Sequence, residues 1–207
     1  VVISRVGGEM ADLPTNMDGL NYTENSTEYN DFEPGQHYLS LTKTEKNMID
    51  MVTKNFANVV LVYNGANTLE MGFVNDYPQI KSVIWCPGTG QTGFNALGEI
   101  VAGEVNPSGH SADTFVYDLT AAPYFNNIGD FAYTNADSVG YTVASQAGGD
   151  AKLVPPHFVN YVEGIYVGYK FYETAAAEGL IDYDKTVQYP FGHGLSYTTF
   201  TQKIDSM

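Results

Sequence analysis

Cysteine and basic residues are scarce in this sequence, and it has no long apolar run. Cys86 is the single cysteine among 207 residues, which excludes an intrachain disulfide and a cysteine-based metal site. Only 9 Lys and Arg stand against 24 Asp and Glu, so the net charge is −15. Because this charge repels phosphate backbones and anionic lipids, nucleic acid is not expected as a partner. No stretch approaches the roughly 20 apolar residues that a membrane span requires, so no membrane partner is expected either.

The residues that are abundant indicate a folded chain. Hydrophobic residues make up 43% of the sequence and aromatic residues 14%, which excludes a disordered polypeptide. A chain of this length can build one domain with a substantial core but not two comfortable ones. We therefore treat residues 1–207 as part of a single domain.

Strands and helices alternate along the first half of the chain. Thr42 and Glu45 have the spacing of a capping box, and the apolar residues that follow predict a helix over 43–56. Three apolar runs predict strands buried on both faces, and one periodic segment predicts a second helix that stops before Asn106 and Pro107; they are VVISRV, NVVLVYNG and IKSVIWCPG, and FNALGEIVAGEV for the helix. This alternation is typical of an α/β fold with a mostly parallel sheet.

Two long segments show no sustained period. Residues 12–40 and 118–160 are predicted to be long loops, and loops of that length inside one domain are usually functional. Beyond them, the segment GIYVGYKFYETAAAEGL regains a helical pattern. Four tyrosines near it could stack on a ligand, but aromatic residues at near-helical spacing belong to the core more often; they are Tyr161, Tyr166, Tyr169 and Tyr172.

A glycine-rich segment matches a dinucleotide-binding pattern. Gly88, Gly90 and Gly93 form a complete G-x-G-x-x-G between a predicted strand and a predicted helix, and Asp113 follows at the expected distance. Such glycines would let a pyrophosphate approach a helix N-terminus. The alternative is a tight turn that needs small residues for its own geometry. Both interpretations stay open from the residues alone.

Other catalytic patterns are incomplete. The segment GLSYT around Ser196 has Thr198 where a nucleophile elbow needs glycine, so Ser196 is assigned to a turn. The histidines share no ligand spacing, and neither a metal nor a cofactor is expected; they are His37, His110, His157 and His193.

Glu9 is the candidate catalytic residue. It lies in a loop that begins with glycines directly after the first predicted strand, where open α/β sheets place groups that contact ligands. From its position alone, an ordinary solvated loop acid is the alternative.

Three segments together resemble the C-terminal α/β sandwich domain of glycoside hydrolase family 3, the β-glucosidase family. They are ISRVGGE-x-x-D at 3–12, GQTGFNAL through VNPSG at 90–109, and YVEGIYVGYKFYET with YPFGHGLSYTTF near the end. The resemblance implies a three-layer, flavodoxin-like sandwich that is incomplete at its N-terminus. It also implies that the chain is a fragment of a larger enzyme, and that the glycines at 88, 90 and 93 belong to a turn.

The resemblance assigns Glu9 a role. Gly8, Glu9 and Asp12 match the G-E-x-x-D pattern that carries the family's general acid/base, although Leu13 stands where the family usually has arginine. The implied function is part of a retaining β-glucosidase-like hydrolase acting on small glycosides or oligosaccharides. A barrel domain of the parent enzyme would supply the nucleophile, and this chain alone would be inactive. Exposed edges make a dimer possible. The alternatives are a non-catalytic carbohydrate-binding or scaffolding domain and a nucleotide-binding domain.

Overall fold

The computed structural model describes most of the chain. The described residues are 1–5, 31–33, 36–125, 131–135, 138, 140–143, 152–154, 156–158 and 160–206. Glu9 and most of the segment 12–40 lie outside the described residues. The structure therefore describes the end of the first strand at residues 4–5 and the returning chain from residue 31.

A parallel sheet of three strands forms the centre of the described structure. The strands are β1 (Val2–Ser4), β2 (Val59–Asn64) and β3 (Ile80–Trp85), in the order β1-β2-β3. All neighbours run parallel, and Ile3, Tyr63 and Trp85 form one row across the sheet. The three predicted strands and the α/β class are confirmed. Because the strands are parallel, their carboxyl ends meet at one edge.

Two helices in the first half follow the predicted signals. Helix α1 (Lys43–Asn55) begins with the predicted capping box, in which the Thr42 hydroxyl accepts from the Glu45 amide and the Glu45 carboxylate accepts from the Thr42 amide. Helix α2 (Phe94–Ala102) ends at Gly103, whose φ of 78° is the left-handed conformation that glycine adopts readily. This helix therefore ends before the predicted stop at Asn106. A 3₁₀ helix (Gly72–Asp76) lies between β2 and β3.

The second half is built from short elements that pair across long distances in sequence. Strand β4 (Phe115–Val116) pairs with β9 (Val187–Tyr189), β5 (Phe131–Ala132) with β8 (His157–Phe158), and β6 (Tyr141–Val143) with β7 (Lys152–Val154), all antiparallel. Helix α3 (Tyr169–Ala177) and the single turn α4 (Tyr183–Thr186) precede β9, and a 3₁₀ turn (Leu119–Ala121) follows β4. The segment 118–160 is thus not without secondary structure. Strands of two or three residues are too short to show a period in the sequence.

The main core cluster lies against one face of the sheet. Ile3 is only 1% exposed, whereas its neighbour Val2 is 57% exposed. The prediction that β1 is buried on both faces is therefore wrong, because successive side chains point to opposite faces and only one face of this strand is covered. In β2 both faces are covered, since the consecutive residues Leu61, Val62 and Tyr63 are all buried. The buried cluster joins the sheet to α1, β4, α3 and β9; among its members are Ile49, Leu61, Tyr63, Leu69, Met71, Phe115, Val116, Leu119, Tyr172 and Val187.

The four tyrosines near α3 divide between core and surface. Tyr172 is buried, whereas Tyr161 is 83% exposed and Tyr166 and Tyr169 are also exposed. The preference for a core role therefore holds for Tyr172 only. Within the described ranges, no helix combines the length and the apolar character needed to cross a bilayer.

Substitution of Ile49 tests whether α1 is held by the core. Ile49→Ala should lower the free energy of unfolding by about 2–5 kcal/mol, because a buried side chain is lost and a cavity remains. Met51→Ala on the same helix is the control, since Met51 is 65% exposed, and it should change stability by less than about 0.5 kcal/mol. Urea denaturation of both variants measures the difference. Equal effects would contradict the packing described.

Candidate functional site

The carboxyl ends of the three parallel strands are tied together by hydrogen bonds. The Arg5 amide donates to the Asn64 carbonyl at 2.9 Å, and the Cys86 amide donates to the Tyr63 carbonyl at 2.8 Å. The Asn64 side-chain amide donates to the Cys86 carbonyl at 2.8 Å. Open α/β sheets bind ligands outside the carboxyl ends of their strands. This edge is therefore the candidate functional site, and it is where the chain departs toward Glu9.

The Arg5 side chain is the most highly connected polar group at this edge. Its Nε donates to the Tyr38 carbonyl at 2.7 Å, and its two Nη atoms donate to the carbonyls of Ser4 and Ser40 at 2.9 and 2.8 Å. The same two atoms form a bidentate ion pair with the Glu45 carboxylate. A guanidinium carries five N–H donors in a fixed fork, and these contacts employ all five. The side chain is only 6% exposed.

Tyr63 packs beside this ion pair, but its hydroxyl bonds elsewhere. Its hydroxyl donates to the Asn67 carbonyl at 2.7 Å. Burial raises the pKa of Tyr63 to about 12, although the positive charge of Arg5 opposes the shift. Tyr63 is therefore a neutral phenol at physiological pH and is not suited to exchange protons with a substrate.

A second buried cluster surrounds the Glu70 carboxylate. Its Oε1 accepts from His37 Nε2 at 3.0 Å and from the Leu119 amide at 2.7 Å, and its Oε2 accepts from the Ser40 hydroxyl at 3.2 Å. The Leu39 amide donates to His37 Nδ1 at 3.1 Å, which fits a ring with its proton on Nε2. Because both carboxylate oxygens are engaged, Glu70 holds neighbouring segments together rather than presenting a reactive group.

A cleft of about 420 Å³ opens beside the Glu70 cluster. Its second carboxylate, Asp118, is also engaged, since it accepts from the Thr120 amide and hydroxyl at 2.9 and 2.6 Å. Both acids that line the cleft are thus used in local structure. Other residues that line it are Gln36, Leu41, Gly72, Phe73 and Tyr117.

The glycine-rich segment at 88–93 forms a turn that leads into α2. The Gly93 amide donates to the Thr89 carbonyl at 3.2 Å, and a Cβ at Gly93 would overlap that carbonyl oxygen. This close approach explains the glycine without a ligand. The Asp113 carboxylate accepts from the Thr114 amide at 2.8 Å, and burial raises its pKa. These contacts support the turn interpretation of the motif.

The segments NPSG and FGHGLSYT, which carry the family resemblance, lie against each other. The Ser111 amide donates to the His193 carbonyl at 2.7 Å, and the Gly192 amide donates to the Ser111 carbonyl at 2.8 Å. The Asn106 side chain accepts from the Ser196 hydroxyl and from the Tyr197 amide, both at 2.8 Å. Ser196 lies between the turn at 191–192 and the bend at 197–198, so its predicted turn role is not confirmed, and its hydroxyl instead joins the two segments. These two motifs are architectural.

The predicted acid/base pattern cannot be located in the structure. Its three residues, Gly8, Glu9 and Asp12, all lie outside the described residues. In the part of the chain that is described, no group of three or more His, Cys, Asp or Glu is arranged to hold a metal ion.

Sequence reasoning missed the roles of Arg5, His37 and Glu70. Arg5 had one visible signal, because it is the only arginine in the chain and directly follows a strand. Its partner Glu45 lies 40 residues away, a separation that no local pattern reveals.

Comparison with known proteins identifies the family. The model of the glycosyl hydrolase family 3 C-terminal domain matches residues 9–169. The chain is 33% identical over 169 residues to β-glucosidase A of Butyrivibrio fibrisolvens, covering 82% of the chain and 17% of that protein. It is 31% identical over 163 residues to thermostable β-glucosidase B of Acetivibrio thermocellus, covering 79% of the chain and 17% of that protein.

Solved structures agree with this assignment. A β-glucosidase from Paenibacillus barengoltzii superposes on 99% of the chain with a TM-score of 0.66 at 26% identity, and the match covers 17% of that protein. A β-glucosidase from Kluyveromyces marxianus covers 78% of the chain, and 15% of its own length, with a TM-score of 0.55 at 25% identity. These neighbours confirm the predicted flavodoxin-like α/β fold. The chain spans about a sixth of the length of these relatives, and it belongs to glycoside hydrolase family 3 through that family's C-terminal domain.

Proposed function

We propose that this chain supplies the general acid/base of a retaining β-glucosidase, in a site shared with a barrel domain that supplies the nucleophile. Glu9 is the proposed acid/base, and small β-glucosides are the proposed substrates. Membership of the family and the β-glucosidase relatives support the reaction class. The assignment to Glu9 rests on the G-E-x-x-D pattern formed by Gly8, Glu9 and Asp12.

The observation that carries this proposal is the place where β1 ends. Arg5 is fixed at the carboxyl edge of the sheet by its backbone and by five side-chain donors. Glu9 is four residues farther along, and an extended chain spans at most about 3.6 Å per residue. Its Cα can therefore lie no farther than about 14 Å from that of Arg5. This limit supports a place for Glu9 at the edge where α/β sheets bind ligands.

The proposed mechanism assigns Glu9 two proton transfers. A carboxylate of the barrel domain attacks the anomeric carbon while the protonated Glu9 carboxyl donates to the leaving oxygen. A covalent glycosyl intermediate forms and the aglycone departs. The Glu9 carboxylate then removes a proton from a water molecule, which attacks the anomeric carbon and releases the sugar. Each cycle returns Glu9 to its protonated form.

This role requires an elevated pKa. The Glu9 carboxyl has to hold its proton near neutral pH before the first step, and the negative nucleophile across the site would favour that state. Once the nucleophile is glycosylated its charge is gone, so the pKa of Glu9 falls and the carboxylate becomes available as a base. The same residue can then act in both steps.

The 207-residue chain by itself should not hydrolyse aryl glucosides. The general acid cannot form the glycosyl intermediate without the nucleophile of the other domain. Release of 4-nitrophenol from 4-nitrophenyl β-glucoside should stay at the rate measured without protein, and the complete enzyme that contains this chain is the positive control. Turnover by the purified chain would contradict the shared site.

Replacement of Glu9 in the complete enzyme tests the residue itself. Glu9→Gln should lower kcat by about 10²- to 10⁴-fold for substrates with poor leaving groups, because these need the proton. For 2,4-dinitrophenyl β-glucoside the first step should survive, while deglycosylation slows and the intermediate accumulates. With Glu9→Ala, added azide should restore turnover, since an anionic nucleophile needs no general base. Steady-state and burst kinetics measure these effects.

Glu104→Gln is the matched control, because Glu104 is an exposed carboxylate beyond the end of α2. It should leave all rates unchanged. Equal losses for both substrate classes in Glu9→Gln, with no azide effect in Glu9→Ala, would remove Glu9 from this role. The other glutamates of the same connection, Glu24, Glu28 and Glu33, would then be the candidates.

A further inference from the structure

The Arg5 side chain joins three parts of the fold that are far apart in sequence. Its contacts reach the carbonyl of Ser4 at the end of β1, the turn at Tyr38 and Ser40, and Glu45 in the first turn of α1. The partners beyond β1 lie 33, 35 and 40 residues along the chain. Arg5 thus closes the base of the connection that leaves β1 and returns before α1, and this connection carries Glu9.

The returning end of the connection is fixed as firmly as its start. The Asp31 carbonyl accepts from the Lys43 amide at 2.9 Å, and the Asp31 carboxylate accepts from the Thr44 amide and hydroxyl at 3.0 and 2.9 Å. From Asp31 onward the described segments are therefore tied to the N-terminus of α1. The guanidinium of Arg5 is what ties that helix to β1.

The chemistry of this contact requires arginine. Lysine has three donors on one atom and no planar fork, so it cannot reach three carbonyls and pair with a carboxylate in a bidentate way. The guanidinium also lies 5.6 Å from the centre of the Tyr38 ring, a distance at which a cation and an aromatic face attract each other. Loss of the fork would free the strand end relative to the turn while leaving much of the core in place.

We infer that Arg5 is a positioning residue for the acid/base Glu9, held in orientation by Glu45. The inference rests on the proposed function. Arg5 sets where and in which direction the chain leaves the sheet four residues before Glu9, and a misplacement of about 1 Å in a catalytic group can cost about 100-fold in rate. All five side-chain donors of Arg5 are engaged within the protein, so Arg5 is not proposed to bind the substrate. Its effect is transmitted through the backbone of the connection.

Glu45 offers a variant that separates positioning from folding. Its carboxylate serves both the Arg5 ion pair and the capping box of α1. Glutamine at this helix position also accepts from the capping amide, so Glu45→Gln keeps the helix start. The same change places the glutamine NH2 group opposite one N–H of the guanidinium, so that two donors face each other and one of the two hydrogen bonds is lost. Glu45→Gln should therefore loosen Arg5 without removing the cap.

The test is a kinetic comparison in the complete enzyme that contains this chain. Arg5→Lys and Glu45→Gln should each lower kcat for poor leaving groups by about 10- to 100-fold, with little change in KM. The formation of the intermediate from 2,4-dinitrophenyl β-glucoside should be nearly unaffected, since that step does not need the proton. Lys185→Ala is the control, because Lys185 forms an exposed ion pair with Asp182, and it should leave the rates unchanged.

A double-variant cycle with Glu9→Gln distinguishes a positioning role from a general loss of structure. Once the carboxyl is gone, adding Arg5→Lys should cost less than about 3-fold, because coupled residues are not additive. Additive losses, or equal losses for both leaving groups, would overturn the inference while the proposed function stands. If Glu9→Gln itself shows no dependence on the leaving group, the proposed function fails first. Thermal denaturation shows which variants fold. If Arg5→Lys does not fold, the kinetics of Glu45→Gln test the positioning role.

Discussion

The ion pair between Arg5 and Glu45 holds the described structure together at the carboxyl edge of the sheet. A bidentate pair of this kind is favourable in a buried place only when the remaining donors are also satisfied. The carbonyls of Ser4, Tyr38 and Ser40 satisfy them. Removal of one partner from a buried pair typically costs about 3–5 kcal/mol, because an uncompensated charge is left behind. One guanidinium therefore joins the strand end, the turn and the helix start.

The Glu70 carboxylate also binds the turn at residues 37–40. Arg5 holds the turn through two backbone carbonyls, whereas Glu70 accepts from the side chains of His37 and Ser40. The Glu70 amide also donates to the Leu39 carbonyl at 3.0 Å. Residues 37–40 are thus held by two charged side chains, Arg5, which is paired with Glu45 of α1, and Glu70, which follows β2. Such a turn offers a rigid end to the connection that precedes it.

The elements predicted from the sequence are those whose signal is local. Helix α1 was visible because Thr42 and Glu45 are three residues apart. Strand β2 was visible because it is a continuous apolar run, and β3 because it ends on three consecutive apolar residues, Val83 to Trp85. Strands β4 to β9 escaped prediction, since they are two or three residues long and their stability comes from partners elsewhere in the chain. At the candidate site, Glu9 was suggested by a family pattern, whereas the contacts of Arg5 were not predicted. Glu45 was recognised as a cap, and nothing nearby indicated that it also binds an arginine 40 residues earlier.

The electrostatics of the edge suit a group that has to keep its proton. A lone arginine close to a carboxyl would favour the ionised form and lower its pKa. Arg5 is paired with Glu45 over two contacts, so the pair is neutral overall and its field falls off quickly with distance. The remaining charge of the chain is strongly negative, which disfavours a further negative charge, although salt screens exposed charges beyond about 8 Å. In the proposed function, the fully paired Arg5 therefore fixes the end of β1 without placing an uncompensated positive charge at the edge.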